Sequence, residues 1–224
     1  KDVMPAVMKN IAKMEKKTGK KWNSTKNPLL VSVRSGAAIS MPGMMDTILN
    51  LGLNEKTVEG FAEQTKNPRF SWDSYRRFIQ LFGKVVFGVN DEKFDHVLDD
   101  AKEKQGVTDD SKLSVESLKS IVSKYKKICE EHTKRKFPDT PNEQLVLSIE
   151  AVFKSWMGER AIVYREKNNI TKDIANGTAV NVVTMVFGNM GDDSATGVVF
   201  TRNGHNGKKE IEGEYLINAQ GEDV

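Results

Sequence analysis

Arg34 follows the apolar run Leu29-Leu30-Val31-Ser32-Val33 and opens a segment of small residues, Arg34-Ser35-Gly36-Ala37-Ala38-Ile39-Ser40-Met41-Pro42-Gly43. A guanidinium presents a planar fork of donors that matches two phosphate oxygens, and small residues let backbone N–H groups approach the same anion. The same arginine could instead pair with a carboxylate and close the end of a strand. The local sequence leaves both readings open.

A second candidate is Gly188-Asn189-Met190-Gly191-Asp192-Asp193-Ser194-Ala195-Thr196-Gly197, between two β-like segments. Gly188, Gly191, Ser194 and Gly197 are the residues through which such a loop would fold over a polyphosphate, with backbone donors and a hydroxyl. It matches neither the Gly-Lys-Ser/Thr ending of a phosphate loop nor a GxGxxG before a helix. Ordinary turn chemistry in an Asn/Asp/Gly loop accounts for it equally well.

The third candidate is acidic: Glu212, Glu214, Glu222 and Asp223, with Asn218 and Gln220 between them. Strand alternation would put Glu212, Glu214, Leu216 and Asn218 on one face, where Glu214 and Asn218 could offer oxygens to a hard cation or simply face solvent. His96, His132 and His205 are scattered, with no zinc spacing and no Ser/His/Asp or Cys/His set. No metal-binding residue is assigned. Cys129, the single cysteine, lies in the charged run Lys126-Lys127-Ile128-Cys129-Glu130-Glu131 and is expected to be inert in a reducing compartment.

The elements that must position these residues follow from periodicity. A helix over residues 3–18 is closed by Gly19, the run Leu29–Val33 reads as a short buried strand, and a helix is expected from about Met44 to Gly52. From Asn54 to about Lys136 the pattern is helical. Phe70, Trp72, Tyr75, Phe78, Ile79 and Phe82 form one apolar stripe, and Val115, Leu118, Ile121, Val122, Tyr125 and Ile128 form another; both are expected to be core. Thr140 can cap a further helix, with Pro141 at its first position and Glu143 completing the box. After Gly177 three extended segments, Ala179–Phe187, Gly197–Thr201 and Gly213–Asn218, suggest one antiparallel sheet. The order points to an α+β fold with a helical insertion.

Composition narrows the partners. The chain has 224 residues, 38% of them hydrophobic, enough for a globular core. A formal charge of +3, from 34 basic and 31 acidic residues, gives no basis for nucleic-acid binding. The lysines between Lys9 and Lys26 flank the stripe Met4, Val7, Met8, Ile11, Met14 and read as a solvated helix face rather than an anion patch. No apolar run approaches the ~20 residues needed to span a bilayer, and no export signal opens the chain, so a cytoplasmic location is expected. Lys1 and Val224 read as cut points within a longer chain.

The run Asn27 to Asn54, NPLLVSVRSGAAISMPGMMDTILNLGLN, resembles the signature of the pyruvate, phosphate dikinase family. Similar stretches are RFSWDSYRRFIQLFG from Arg69, EAVFKSWMGERAIVYR from Glu150, GTAVNVVTMVFGNMGDDSATGVVFTRN from Gly177 and GEYLINAQGEDV from Gly213. The resemblance implies part of an ATP-grasp-like nucleotide-binding domain: residues 1–54 with 141–184 as its first part, 55–140 as an inserted helical subdomain, and 185–224 as a truncated β lid. It also implies ATP as substrate, Mg2+ held mainly by ligands outside these residues, and inorganic phosphate. A swivelling phosphohistidine domain of the same full-length chain and a homodimeric full-length enzyme are implied as partners. Arg34 becomes the catalytic phosphate contact. Ser35, Gly36, Gly188, Gly191, Ser194, Gly197 and Glu214 join it as nucleotide-binding residues.

Some of the family's parts have no counterpart here: an N-terminal glycine-lysine segment, a later strand carrying metal and phosphate ligands, the carrier histidine and the pyruvate-binding barrel. The segment Asn203-Gly204-His205-Asn206-Gly207 also departs from the family's proline-containing turn. These 224 residues alone are therefore expected to bind ATP poorly and turn over nothing. A phosphoenolpyruvate synthase-like domain and a non-catalytic interaction module are the alternatives.

Overall fold

A computed structural model describes residues 3–224, the Glu222 side chain excepted, so that member of the acidic group lies outside the described residues. The first element is α1, Met4–Thr18, turned inward along its apolar stripe with Ile11 buried. Gly19 ends it in the left-handed conformation at φ 71°, its N–H returning to the Glu15 carbonyl.

Three strands form one antiparallel sheet in the order β2-β1-β3: β1 is Val31–Ala37, β2 is Thr47–Leu51 and β3 is Thr178–Thr184. Here the structure corrects two expectations. The strand does not stop at Val33, and Arg34 to Ala37, expected as loop, continue β1 along β3. The helix expected from Met44 to Gly52 is strand β2 instead, preceded by a turn at Met41-Pro42-Gly43-Met44. Proline followed by Gly43 at φ 71°, closed by the Met44 N–H on the Met41 carbonyl at 3.1 Å, fits a type II turn. Met44, Met45, Ile48 and Leu49 have spacing that suits a helix, but the β-branched Thr47 and Ile48 pair across to β1 and the turn breaks any helical start.

The helical stretch comprises α2 (Glu55–Thr65), α3 (Pro68–Phe87), α4 (Glu92–Gln105) and α5 (Val115–Thr133). Asn54 caps α2 through a reciprocal box with Thr57. Phe70, Trp72, Tyr75, Phe78, Ile79 and Phe82 of α3 are all buried, as are Leu118, Ile121, Val122 and Tyr125 of α5; Val115 and Ile128, expected in the second stripe, are only half-buried, and Cys129 is buried instead. Inside this core sits an ion cluster. Asp73 meets Arg76 at 2.7 Å, Arg77 at 3.3 Å and Arg69 at 3.9 Å. Helix α6, Pro141–Ser155, starts at the expected cap, with Thr140 accepting from the Glu143 N–H at 3.3 Å, but the Glu143 carboxylate does not return to the Thr140 N–H and the box stays half made; the helix packs on β1, β2 and β3. Helix α7, Glu159–Lys167, follows, and its Ala161 joins Met41, Trp156 and Ala175 in a second apolar cluster.

The chain divides into two compact units, residues 1–185 and 186–224. The second holds a hairpin of β4 (Ala195–Phe200) and β5 (Glu212–Ile217), registered from Ala195 opposite Ile217 to Phe200 opposite Glu212. The single sheet expected from the last three β segments therefore does not form. Strand β3 pairs with β1, a partner more than a hundred residues earlier that local pattern cannot reveal. Helices and small antiparallel sheets together make an α+β fold.

Candidate functional site

In β1, side chains alternate between the two sheet faces. Val31 and Val33 point into the core, while Ser32, Arg34 and Gly36 share the other face. Arg34 is exposed there, and its Nε–H donates to the buried Ser32 Oγ at 3.2 Å. That bond anchors one edge of the guanidinium and leaves its terminal nitrogens without a partner among the described residues. No carboxylate lies within ion-pair distance of Arg34 among the described residues, so closing the strand by a salt bridge is not its role.

Register places Asn181 of β3 directly opposite Arg34, and Ala179 opposite Gly36. Asn181 is exposed and reaches diagonally across: a Cβ built on Gly36 would run into its amide nitrogen, with the amide carbon at 3.4 Å. Ser35 falls on the opposite face, opposite Val180, so its hydroxyl is not brought beside Arg34. The Gly36 N–H donates to Thr178 Oγ1 at 3.1 Å. Small residues here do not form the open loop expected, because the chain is already strand.

In the second unit, the glycine segment is stitched to the end of β5. The Ala219 N–H donates to the Gly188 carbonyl at 3.0 Å, the Asn218 N–H to the Ser194 carbonyl at 2.7 Å, and Thr196 Oγ1 to the Ala219 carbonyl at 2.7 Å. The Ser194 N–H closes a turn on the Gly191 carbonyl at 3.0 Å. Gly188 and Gly197 have packing reasons to be glycine, since a Cβ on either would lie 2.6 Å from a backbone carbonyl oxygen, that of Ala195 and that of Glu214 respectively. Gly191 has no such backbone neighbour.

Glu214 is exposed on β5, opposite Val198, and with Glu212, His205 and Phe200 it lines a surface depression of about 340 Å³. Asn218 does not continue that face. Its φ of 52° takes it out of the strand, and its amide approaches Asp192 at 3.5 Å. Among the described residues, no group of three or more His, Cys, Asp or Glu side chains is placed to hold a metal ion. The Cys129 thiol is buried on the core side of α5, where burial pushes its pKa up to about 12.

Sequence reasoning missed Ser32 and Asn181. Each is a polar residue at an alternate position of an otherwise apolar β run, which is the signal that could have found them. No helix among the described residues is long and apolar enough to cross a membrane.

An exposed guanidinium held at one edge can offer its remaining donors to an anion, and comparison with known proteins gives the family of the chain. All of residues 1–224 match the family described as pyruvate phosphate dikinase, AMP/ATP-binding domain, and the chain belongs to that family. It is 55% identical over 222 residues to pyruvate, phosphate dikinase of Entamoeba histolytica, covering 99% of this chain and 25% of that protein. The Clostridium symbiosum enzyme is 54% identical over 224 residues, covering 100% of this chain and 25% of that protein. The Arabidopsis thaliana protein, pyruvate, phosphate dikinase 1, chloroplastic, is 51% identical over 218 residues, which is 97% of this chain and 22% of that one. The chain thus spans about a quarter of the length of these relatives.

Proposed function

We propose that this chain is the ATP-binding part of a pyruvate, phosphate dikinase, and that Arg34 grips the nucleotide phosphates. The full-length enzyme converts ATP, phosphate and pyruvate to AMP, pyrophosphate and phosphoenolpyruvate through a phosphohistidine on a swivelling domain. The observation that carries this reading is the placement of the VRSGA arginine, exposed on a sheet face and fixed by Ser32, in a chain whose whole length matches an AMP/ATP-binding family. In phosphoryl transfer the protein mainly positions groups and neutralises charge, and a fixed guanidinium supplies both.

The architecture is read as ATP-grasp-like, with residues 55–140 as a helical insertion and 185–224 as a lid. Ser35, Gly36, Gly188, Gly191, Ser194, Gly197 and Glu214 are its remaining nucleotide contacts. Ser35 would act through its backbone, and Gly188 to Gly197 through backbone donors and the Ser194 hydroxyl. Mg2+ would neutralise phosphate charge when bound, with its ligands outside these residues. Inorganic phosphate and a homodimeric, cytoplasmic full-length enzyme belong to the same reading. The interaction-module alternative loses its footing, because the aromatic stripes that would form its groove are buried.

Titration calorimetry of the full-length dikinase containing this chain, with a non-hydrolysable ATP analogue, tests the reading. Arg34→Ala is expected to weaken binding by about tenfold or more, the range of a hydrogen-bonded charge. Unchanged affinity in the variant would overturn it.

A further inference from the structure

We propose that the Asn181 carboxamide is a second, uncharged contact for the phosphate group that Arg34 grips, seated for that purpose by Gly36; this rests on the reading of Arg34 given above. Arg34 and Asn181 are direct partners in the antiparallel β1–β3 register, so their side chains rise from one face with Cβ atoms about 5 Å apart. Both are exposed. The Asn181 side chain makes no hydrogen bond to another described residue, so its amide donors are unspent.

Gly36 is the second observation. Glycine inside a strand weakens it and commonly marks a close approach of another group, and here the approaching group is this carboxamide. A side chain at position 36 would displace the Asn181 amide from its place over Gly36. A lone guanidinium whose Nε is already committed to Ser32 lets a phosphate pivot about it. An amide donor across the strand pair supplies a second point and fixes the orientation without adding charge.

The test uses the full-length dikinase and the same non-hydrolysable ATP analogue. Asn181→Ala is expected to weaken binding by about tenfold, the value of one hydrogen bond to a charged group, with the melting temperature unchanged. Gly36→Ala is expected to weaken binding similarly in the wild-type background and to add little in the Asn181→Ala background, because the displaced group is then gone. Wild-type affinity in Asn181→Ala, while Arg34→Ala loses binding, would overturn this proposal and leave the proposed function standing. A Gly36→Ala loss undiminished by Asn181→Ala would overturn the seating role. If Arg34→Ala itself binds normally, the reading beneath both fails.

Discussion

Asp73 shows how a single carboxylate can hold several elements. It is buried, and burial by itself would raise its pKa, yet Arg76, Arg77 and Arg69 together hold the carboxyl below its ordinary value of 3.8. Arg76 is equally buried and reaches on to Asp110 at 3.6 Å, which also receives Lys102 at 3.4 Å. A depressed carboxylate contributes stability that is complete above its unfolded pKa and is lost as pH falls through the native one. Asp73→Asn removes the nearer carboxylate from buried Arg76 and leaves it only Asp110 at 3.6 Å, which should cost about 3 kcal/mol at neutral pH. Urea unfolding at pH 7 and again below pH 3.8 checks both parts: the gap between variant and wild type should narrow in acid. A gap that stays constant would mean the carboxylate is not what stabilises the cluster. At this scale the sequence was partly legible. Arg34 announced itself by following an apolar strand run, whereas Ser32 and Asn181 acquire meaning only from which side chain stands beside them. The acid-base partners on α3 are spaced for one helix face, but nothing local says that this face is buried.

Elements were legible where their determinants are local. The caps at Gly19 and Thr140 sit where sequence rules put them, because a cap involves only a few consecutive residues. Strand β2 was misread as helix and β3 was assigned to the wrong sheet, because strand pairing is decided by partners far along the chain. Helix α2 shows the same rule acting on one residue. Gly60 lies in its interior, where alanine would favour the helix by about 1 kcal/mol. A Cβ there would collide with the Thr25 carbonyl oxygen and carbon, which are backbone and cannot rotate away. Overpacking of this kind costs about 1–3 kcal/mol, and the collision is severe enough to place it at the upper end. Gly60→Ala should therefore destabilise the protein by about 1–2 kcal/mol despite its better helix propensity, read as a lowered urea midpoint. A raised midpoint would mean that the loop at Thr25 moves aside freely.

On the scale of the molecule, the two units differ in what holds them. Residues 1–185 enclose the aromatic core of α3 and α5 and a sheet backed by α6. In residues 186–224, Ala219 and Gln220 are the buried residues among those described, and hairpin side chains as large as Val199 and Tyr215 remain 67% and 70% exposed. An isolated two-stranded hairpin is marginal in water, because it orders the backbone of both strands while burying little apolar surface. The glycine segment adds backbone bonds at Gly188 and Ser194 but no apolar contact comparable to the α3 stripe. Local opening should follow that difference. In hydrogen exchange on the 224-residue chain, amides of Ala195–Phe200 and Glu212–Ile217 should exchange well before those of Val31–Ala37 and Phe70–Phe82. A nucleotide that engages the second unit in the full-length enzyme should slow the hairpin amides selectively, since binding to an ordered state raises the free energy of opening by mass action. Hairpin amides that already match the β1 amides in protection without nucleotide would show that the second unit owes its order to something other than its own buried surface.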